Sequence, residues 1–170
     1  MANIMIIEDN ISHYRFFSSI LMTEHSVFPS DESEFKKFRS LLSKMYSNGN
    51  STSVKKKAIA AITDIISNVL PDLYIMDYQL LEGEDACNGL SFTRDFIRAS
   101  HILFVTGIDS NKTINKINSY TKDQQGNNIM ESILKEETLD DEFAEEIRML
   151  VKKLLKTKFS DDRPLDVSNL

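Results

Sequence analysis

The sequence predicts an α/β fold, a parallel sheet with helices on both faces. Three observations lead there. The runs NIMII (3–7), LYIM (73–76) and HILFV (101–105) are continuously apolar, the pattern of strands buried on both faces rather than half-wetted ones. Segments with apolar residues at helical spacing lie between them. Strand and helix signals alternate along the chain, and that alternation favours parallel pairing through crossover helices.

In chain order, NIMII is the first strand, closed by Glu8, Asp9 and Asn10. A first helix follows on Ile11, Tyr14, Phe17, Ile20 and Leu21, and residues 26–29 form a short edge strand, where Pro29 is tolerated. Ser30 or Asp31 caps a second helix bearing Phe35, Phe38, Leu41, Leu42 and Met45. After the polar loop SNGNSTS comes a third helix on Val54, Ala58, Ile62, Ile65, Ile66 and Val69, ended by Pro71. LYIM leads into Asp77, a loop covers 78–87, and Asn88 caps a helix through Leu90, Phe92, Phe96 and Ile97. The strand HILFV ends at Thr106-Gly107, a polar helix spans 110–122, and residues 129–135 form a fifth strand ending at Lys135. Thr138 with Asp141 resembles a cap for the last helix, whose acids come early and lysines late, as the helix dipole favours. Two helices, not one, therefore separate the second strand from the third.

Composition excludes several classes. Of the 170 residues, 41% are apolar and 27% charged, and no apolar run is long enough to cross a bilayer. The N-terminus lacks the basic region of a secretory signal, so a cytoplasmic location is expected. Cys87 is the only cysteine, which excludes an intrachain disulfide and leaves an idle thiol as the plain reading. A net charge of -6 argues against a broad grip on nucleic acid, and Lys55, Lys56 and Lys57 read as the solvated first turn of a helix. His13, His25 and His101 show no ligand spacing, and neither GxxxxGK[ST] nor GxGxxG occurs.

The polar residues at the strand ends carry the chemistry. In an open parallel sheet, ligands bind beyond the carboxyl ends of the strands. There this chain places Glu8 and Asp9, Asp77, Thr106 and Lys135. Three gathered carboxylates raise one another's pKa unless a cation joins them, and hard oxygen donors in this number suit Mg²⁺. Lys135 can pair with Asp77 and then with a phosphoryl oxygen, while the Thr106 hydroxyl takes another oxygen.

This pattern resembles the receiver domain of two-component response regulators. The matching residues are Glu8-Asp9 after IMII, Asp77 after LYIM, Asn88-Gly89-Leu90 opening a helix, Thr106-Gly107 after ILFV, and Lys135 after SIL. The resemblance covers residues 3 to about 157 and implies a flavodoxin-like, doubly wound sheet of strand order 2-1-3-4-5. It implies one receiver domain over 1–158 with a helical insertion at 31–70, and a flexible tail over 159–170. Asp77 becomes the phosphoacceptor, and Glu8, Asp9, Asp77 and the backbone carbonyl of Gln79 hold Mg²⁺. Partners implied are a histidine kinase or histidine phosphotransfer protein and a downstream protein. The face of helix 4, strand 5 and helix 5, residues 109 to 157, carries the response, with a homodimer through it as one form. The insertion is either a docking surface or extra packing.

Four features depart from the family. Glu136 stands where a proline usually follows the lysine, and Ser132 where strand five carries an aromatic switch residue. The loop after Asp77 is long and acidic, with Glu82, Glu84 and Asp85, and Asp9 stands unusually far from Asp77 in sequence. A haloacid-dehalogenase-type phosphatase is the enzyme rival, but it needs an acid two residues after the nucleophile, where this chain has Gln79. A pseudo-receiver, signalling by contact without phosphorylation, is the binding-module rival. No output domain is expected after the last helix, so the protein reads as a stand-alone receiver that binds a partner or relays phosphoryl groups.

Overall fold

The computed structural model describes residues 1–81, 87–97, 100–107, 115, 130–134 and 139–157, and of 87, 88 and 130–134 the backbone alone. Five strands form one parallel sheet: β1 (Asn3–Ile7), β2 (Ser26–Phe28), β3 (Leu73–Asp77), β6 (His101–Thr106) and β7 (Met130–Leu134), in the order β2-β1-β3-β6-β7. Among the described residues five helices of a turn or more accompany it: α1 (Ile11–Leu21), α2 (Glu32–Tyr46), α3 (Thr52–Val69), α4 (Gly89–Phe96) and α5 (Asp141–Lys156). The α/β class and the parallel pairing expected from the continuous apolar runs are what the backbone adopts.

Side-chain alternation divides each central strand between two layers. Ile4, Ile6, Leu73, Ile75, Leu103 and Val105 face one way, against α1 and α5. Met5, Ile7, Tyr74, Met76, Ile102 and Phe104 face the other, against Phe38 and Leu42 of α2, Ile62 of α3 and Phe92 of α4. Burial on both sides explains why residues 4–7, 73–76 and 102–105 of these strands are apolar or aromatic throughout.

The helix starts follow the capping chemistry in the sequence. Asn10 Oδ1 accepts the Ser12 and His13 N–H groups at 2.9 and 3.3 Å, and Ser51 caps α3 through Val54. Asp31 accepts from Glu34 N–H at 2.8 Å, while Glu34 Oε2 accepts from Ser30 N–H, a reciprocal capping box. Two expectations are corrected. Asp140, not Thr138 with Asp141, caps α5, its Oδ1 accepting from Phe143 N–H at 3.0 Å. The segment after Asp77 is not simply a loop: β4 (Gln79–Leu81) pairs antiparallel with β5 (Cys87–Asn88), and buried Leu80 anchors this ribbon in the second layer. Asn88 accordingly lies in a strand, and α4 begins at Gly89, whose N–H donates to the Tyr78 carbonyl at 2.8 Å.

Helix α2 does not stay on one side. Its Phe35 belongs to the first layer, stacked on Tyr14 of α1 at 4.6 Å, whereas Phe38 and Leu42 belong to the second. Its last residue, Tyr46, reaches Asp95 of α4. The Tyr14 hydroxyl donates to the Pro29 carbonyl at 2.9 Å, within the buried core, and so ties α1 to the turn that starts α2. Tyr14→Phe should therefore cost about 1–2 kcal/mol in chemical denaturation, because it leaves a buried carbonyl without its donor. An unchanged midpoint would mean that water replaces the hydroxyl.

The expected helix over 110–122, the loop acids Glu82, Glu84 and Asp85, Lys135, Glu136, Thr138 and the tail from 158 lie outside the described residues. So do the side chains of Cys87 and Ser132. Among the described residues, no helix is long and apolar enough to cross a membrane.

Candidate functional site

The sheet register brings the strand-end polar residues together. Ile7 is paired with Met76 and Asp77 with Val105, so Glu8 and Asp77 leave the core at one level and Thr106 one residue further along the next strand. Glu8 is 2% exposed, Asp77 8% and Thr106 2%, so these polar groups sit at the floor of the edge rather than in solvent. Asp9 is half-buried beside them.

Each carboxylate is held by nearby main chain. Glu8 Oε1 accepts the N–H groups of Asp9 and Asn10 at 3.0 and 2.9 Å, and Glu8 Oε2 lies 3.5 Å from His13 Nδ1. Asp77 Oδ1 accepts the Gln79 N–H at 3.2 Å, which fixes the carboxyl plane against the start of β4. Gln79 stands opposite Asn88, and the bond from Gly89 N–H to the Tyr78 carbonyl flanks them, the mark of a non-hydrogen-bonded pair. The Gln79 carbonyl is therefore not bound to its cross-strand partner Asn88.

Glu8, Asp9 and Asp77 each offer an oxygen such that all lie within 4.8 Å of one another. Around an octahedral Mg²⁺, opposite ligands are separated by about 4 Å and neighbouring ones by less. The limit of 4.8 Å exceeds that spacing, so sharing one ion would need the three carboxylates to draw in. Burial, and then the neighbouring Glu8 charge, push the Asp9 carboxyl up from 3.8 to about 6, partly opposed by the positive charge of Arg39. A cluster that cannot comfortably hold all its negative charge is one that gains by taking a cation.

Of the residues expected from the sequence, Glu8, Asp9, Asp77, Gln79 and Thr106 come together, and Lys135 directly follows Leu134 of β7 but lies outside the described residues. One residue escapes the sequence reading: His13, which shows no ligand spacing there, sits against Glu8 in the first turn of α1.

No protein-family model and no curated protein sequence matches the chain. Solved structures do. The BeF3-activated N-terminal receiver domain of RstA from Klebsiella pneumoniae aligns with a TM-score of 0.53 at 15% identity, covering 91% of this chain and 98% of that one. The signal receiver domain of a Luxo repressor protein from Vibrio parahaemolyticus aligns at 0.52 and 14%, covering 91% and 90%. The response regulator domain of CheB from Thermotoga maritima aligns at 0.51 and 12%, covering 92% and 97%. The chain has a receiver-like fold. In a receiver-like fold the residues beyond the carboxyl edge of the sheet are those best placed to meet a ligand, and here they are the acid cluster and Thr106.

Proposed function

We propose that the chain is a response regulator that accepts a phosphoryl group on Asp77 from a phosphohistidine of a kinase or phosphotransfer protein. The observation that carries this is the gathering of the Glu8, Asp9 and Asp77 carboxylates within 4.8 Å of one another, with Asp77 on the strand that pairs with that of Thr106. Under this reading the sheet is flavodoxin-like with order 2-1-3-4-5, residues 1–158 are one receiver domain and 31–70 an insertion in it.

The step balances as follows. A carboxylate oxygen of Asp77 attacks phosphorus in line with the donor imidazole. The P–N bond breaks, its electron pair returns to the ring nitrogen, and that nitrogen is left neutral or takes a proton from solvent. The Gln79 N–H on Oδ1 orients the carboxyl. Mg²⁺, held by Glu8, Asp9, Asp77 and the Gln79 carbonyl, would neutralise charge on the phosphoryl oxygens in transit. The Thr106 hydroxyl donates to one of those oxygens after transfer, and Lys135 pairs with another. The response is a population shift between two conformations, read by a downstream protein on the 109–157 face or through a homodimer formed there.

Incubation with Mg²⁺ and acetyl phosphate or phosphoramidate should add one phosphoryl mass, lost in Asp77→Asn and discharged by hydroxylamine, which cleaves acyl phosphates. Wild-type protein that stays unmodified would overturn the reading in favour of a phosphorylation-independent binding module, the role to which Ser132 and Glu136 point.

A further inference from the structure

Positive charge in this chain is gathered in one place. Between Glu34 and Asp64 lie six lysines and one arginine and no acid, in a protein whose net charge is -6. That stretch is most of helices α2 and α3, which pack on each other and enter the second layer through Phe38, Leu42 and Ile62. The turn that joins them is tied down, the Lys44 carbonyl accepting from Asn50 Nδ2 at 3.0 Å and Ser51 capping α3 through Val54. Lys44, Lys56 and Lys57 are therefore held, exposed, around one end of the pair, with half-buried Lys55 beside them. Among the described residues no carboxylate lies within ion-pair distance of these lysines. Helix α3 is open as well as basic: of its 18 residues Ala58 and Ile62 alone are buried, and Ile59, one turn after Lys55 and Lys56, is 40% exposed. The lysines can steer a partner to this end, and the isoleucine is apolar area for it to cover.

A complementary surface is on the same molecule. Helix α5 opens with Asp141, Glu142, Glu145 and Glu146, all exposed. Glu145 pairs with Arg148, while Asp141, Glu142 and Glu146 have no ion pair among the described residues. Glu142, Glu146 and Met149 follow one stripe of the helix, and Met149 is 70% exposed. Acids beside an exposed methionine thus mirror lysines beside an exposed isoleucine. The two surfaces cannot meet within one chain, because α5 packs in the first layer through Phe143, Ala144 and Ile147 and α3 in the second through Ile62, with the sheet between them.

We propose that the protein self-associates head to tail, the basic end of the α2–α3 pair in one copy docking on the first turns of α5 in the next. A second copy is the occupant that the charges select: it carries the acids that the lysines lack, on the side of the sheet that the lysines cannot reach in their own chain. Unlike surfaces meet in such a contact, so it has no two-fold symmetry, and each added copy leaves one basic and one acidic surface open at the ends. It does not rest on Asp77 accepting a phosphoryl group.

Sedimentation velocity of the full chain tests it. At about 0.05 M salt the weight-average sedimentation coefficient should rise with protein concentration, and at about 0.5 M the rise should vanish as screening shortens the reach of surface charge. Lys56→Glu with Lys57→Glu, and separately Glu142→Lys with Glu146→Lys, should each weaken association about tenfold, since attraction at the contact becomes repulsion. The second pair separates local from global charge. Each Glu→Lys adds two charges, so the net charge moves from -6 to -2, which by itself lessens repulsion between copies and would strengthen association. An equimolar mixture of the two variants should recover association, because the reversed charges of one meet those of the other. All these positions are exposed, and circular dichroism melts check that each variant stays folded.

Wild-type protein that stays monomeric at low salt overturns the proposal. So does either variant associating as well as wild type, or a mixture that stays monomeric. Wild-type protein that stays monomeric yet retards a labelled DNA duplex, with the retardation lost in Lys56→Glu with Lys57→Glu, would give the surface to nucleic acid instead.

Discussion

Asp9→Asn is expected to make the metal-free protein more stable while abolishing its tight Mg²⁺ binding. The two outcomes have one cause. Asp9 is ionised at neutral pH only against burial and the charge of Glu8, which lift its carboxyl to about 6 from 3.8. A group that holds its proton more tightly when folded than when unfolded destabilises the fold wherever it is ionised. The stability that protonation restores is therefore absent above pH 7, returns as pH falls through about 6, and is complete below 3.8. Asparagine keeps the shape without the charge and should remove that slope. Allowing for solvent around a half-buried group, the gain at pH 7 is about 1–2 kcal/mol. Thermal melts at pH 5 and pH 7, with and without Mg²⁺, check it. A wild-type protein less stable at pH 5 than at pH 7, with Asp9→Asn no more stable than wild type at pH 7, would sink the idea.

Gly89→Ala should be among the most damaging single-methyl changes available in this chain. A Cβ there would stand 2.6 Å from Met76 Cγ, 2.7 Å from the Asp77 carbonyl oxygen and 2.9 Å from Phe104 Cε1. Met76 can bend away, but the carbonyl belongs to the main chain of β3 and Phe104 is fully buried. Relief must come from moving α4 or the peptide of Asp77. We expect a loss of about 1–3 kcal/mol, as for overpacking, together with weakened phosphoryl uptake because the nucleophile shifts. Gly107→Ala is the matched control: it follows Thr106 at the same edge, yet its Cβ would meet nothing within 4 Å. Equal behaviour of the two variants in denaturation and in uptake would show that the close approach at Gly89 is not what places Asp77.

What could be read from the chain alone follows a physical division. The three central strands were legible because strands buried on both faces need unbroken apolar runs, and Glu8, Asp77 and Thr106 because a polar group ending such a run must face an edge. The cap at Asp31 acts within three residues and is legible locally, whereas Asn10 and Ser51 cap their helices by the same chemistry without being singled out in the sequence. The ribbon β4–β5 was missed because it has three residues on one side and two on the other, too short for alternation to show. Asp140 was passed over for Thr138, although both are capping residue types, because sequence does not fix which residue turns first into the helix. His13 was missed because its contact with Glu8 turns on how α1 leaves the end of β1, which no spacing motif marks.

The path of α2 bears on how the molecule opens. With Phe35 in one hydrophobic layer and Phe38 and Leu42 in the other, this helix cannot detach from one face of the sheet without disturbing the other. Amide protons of β1 on both sides should then exchange with solvent in a single concerted event, rather than as two independent sub-global openings. A perturbation at the carboxyl edge that tilts α2 would reach both faces at once, which makes the helix a lever spanning the sheet.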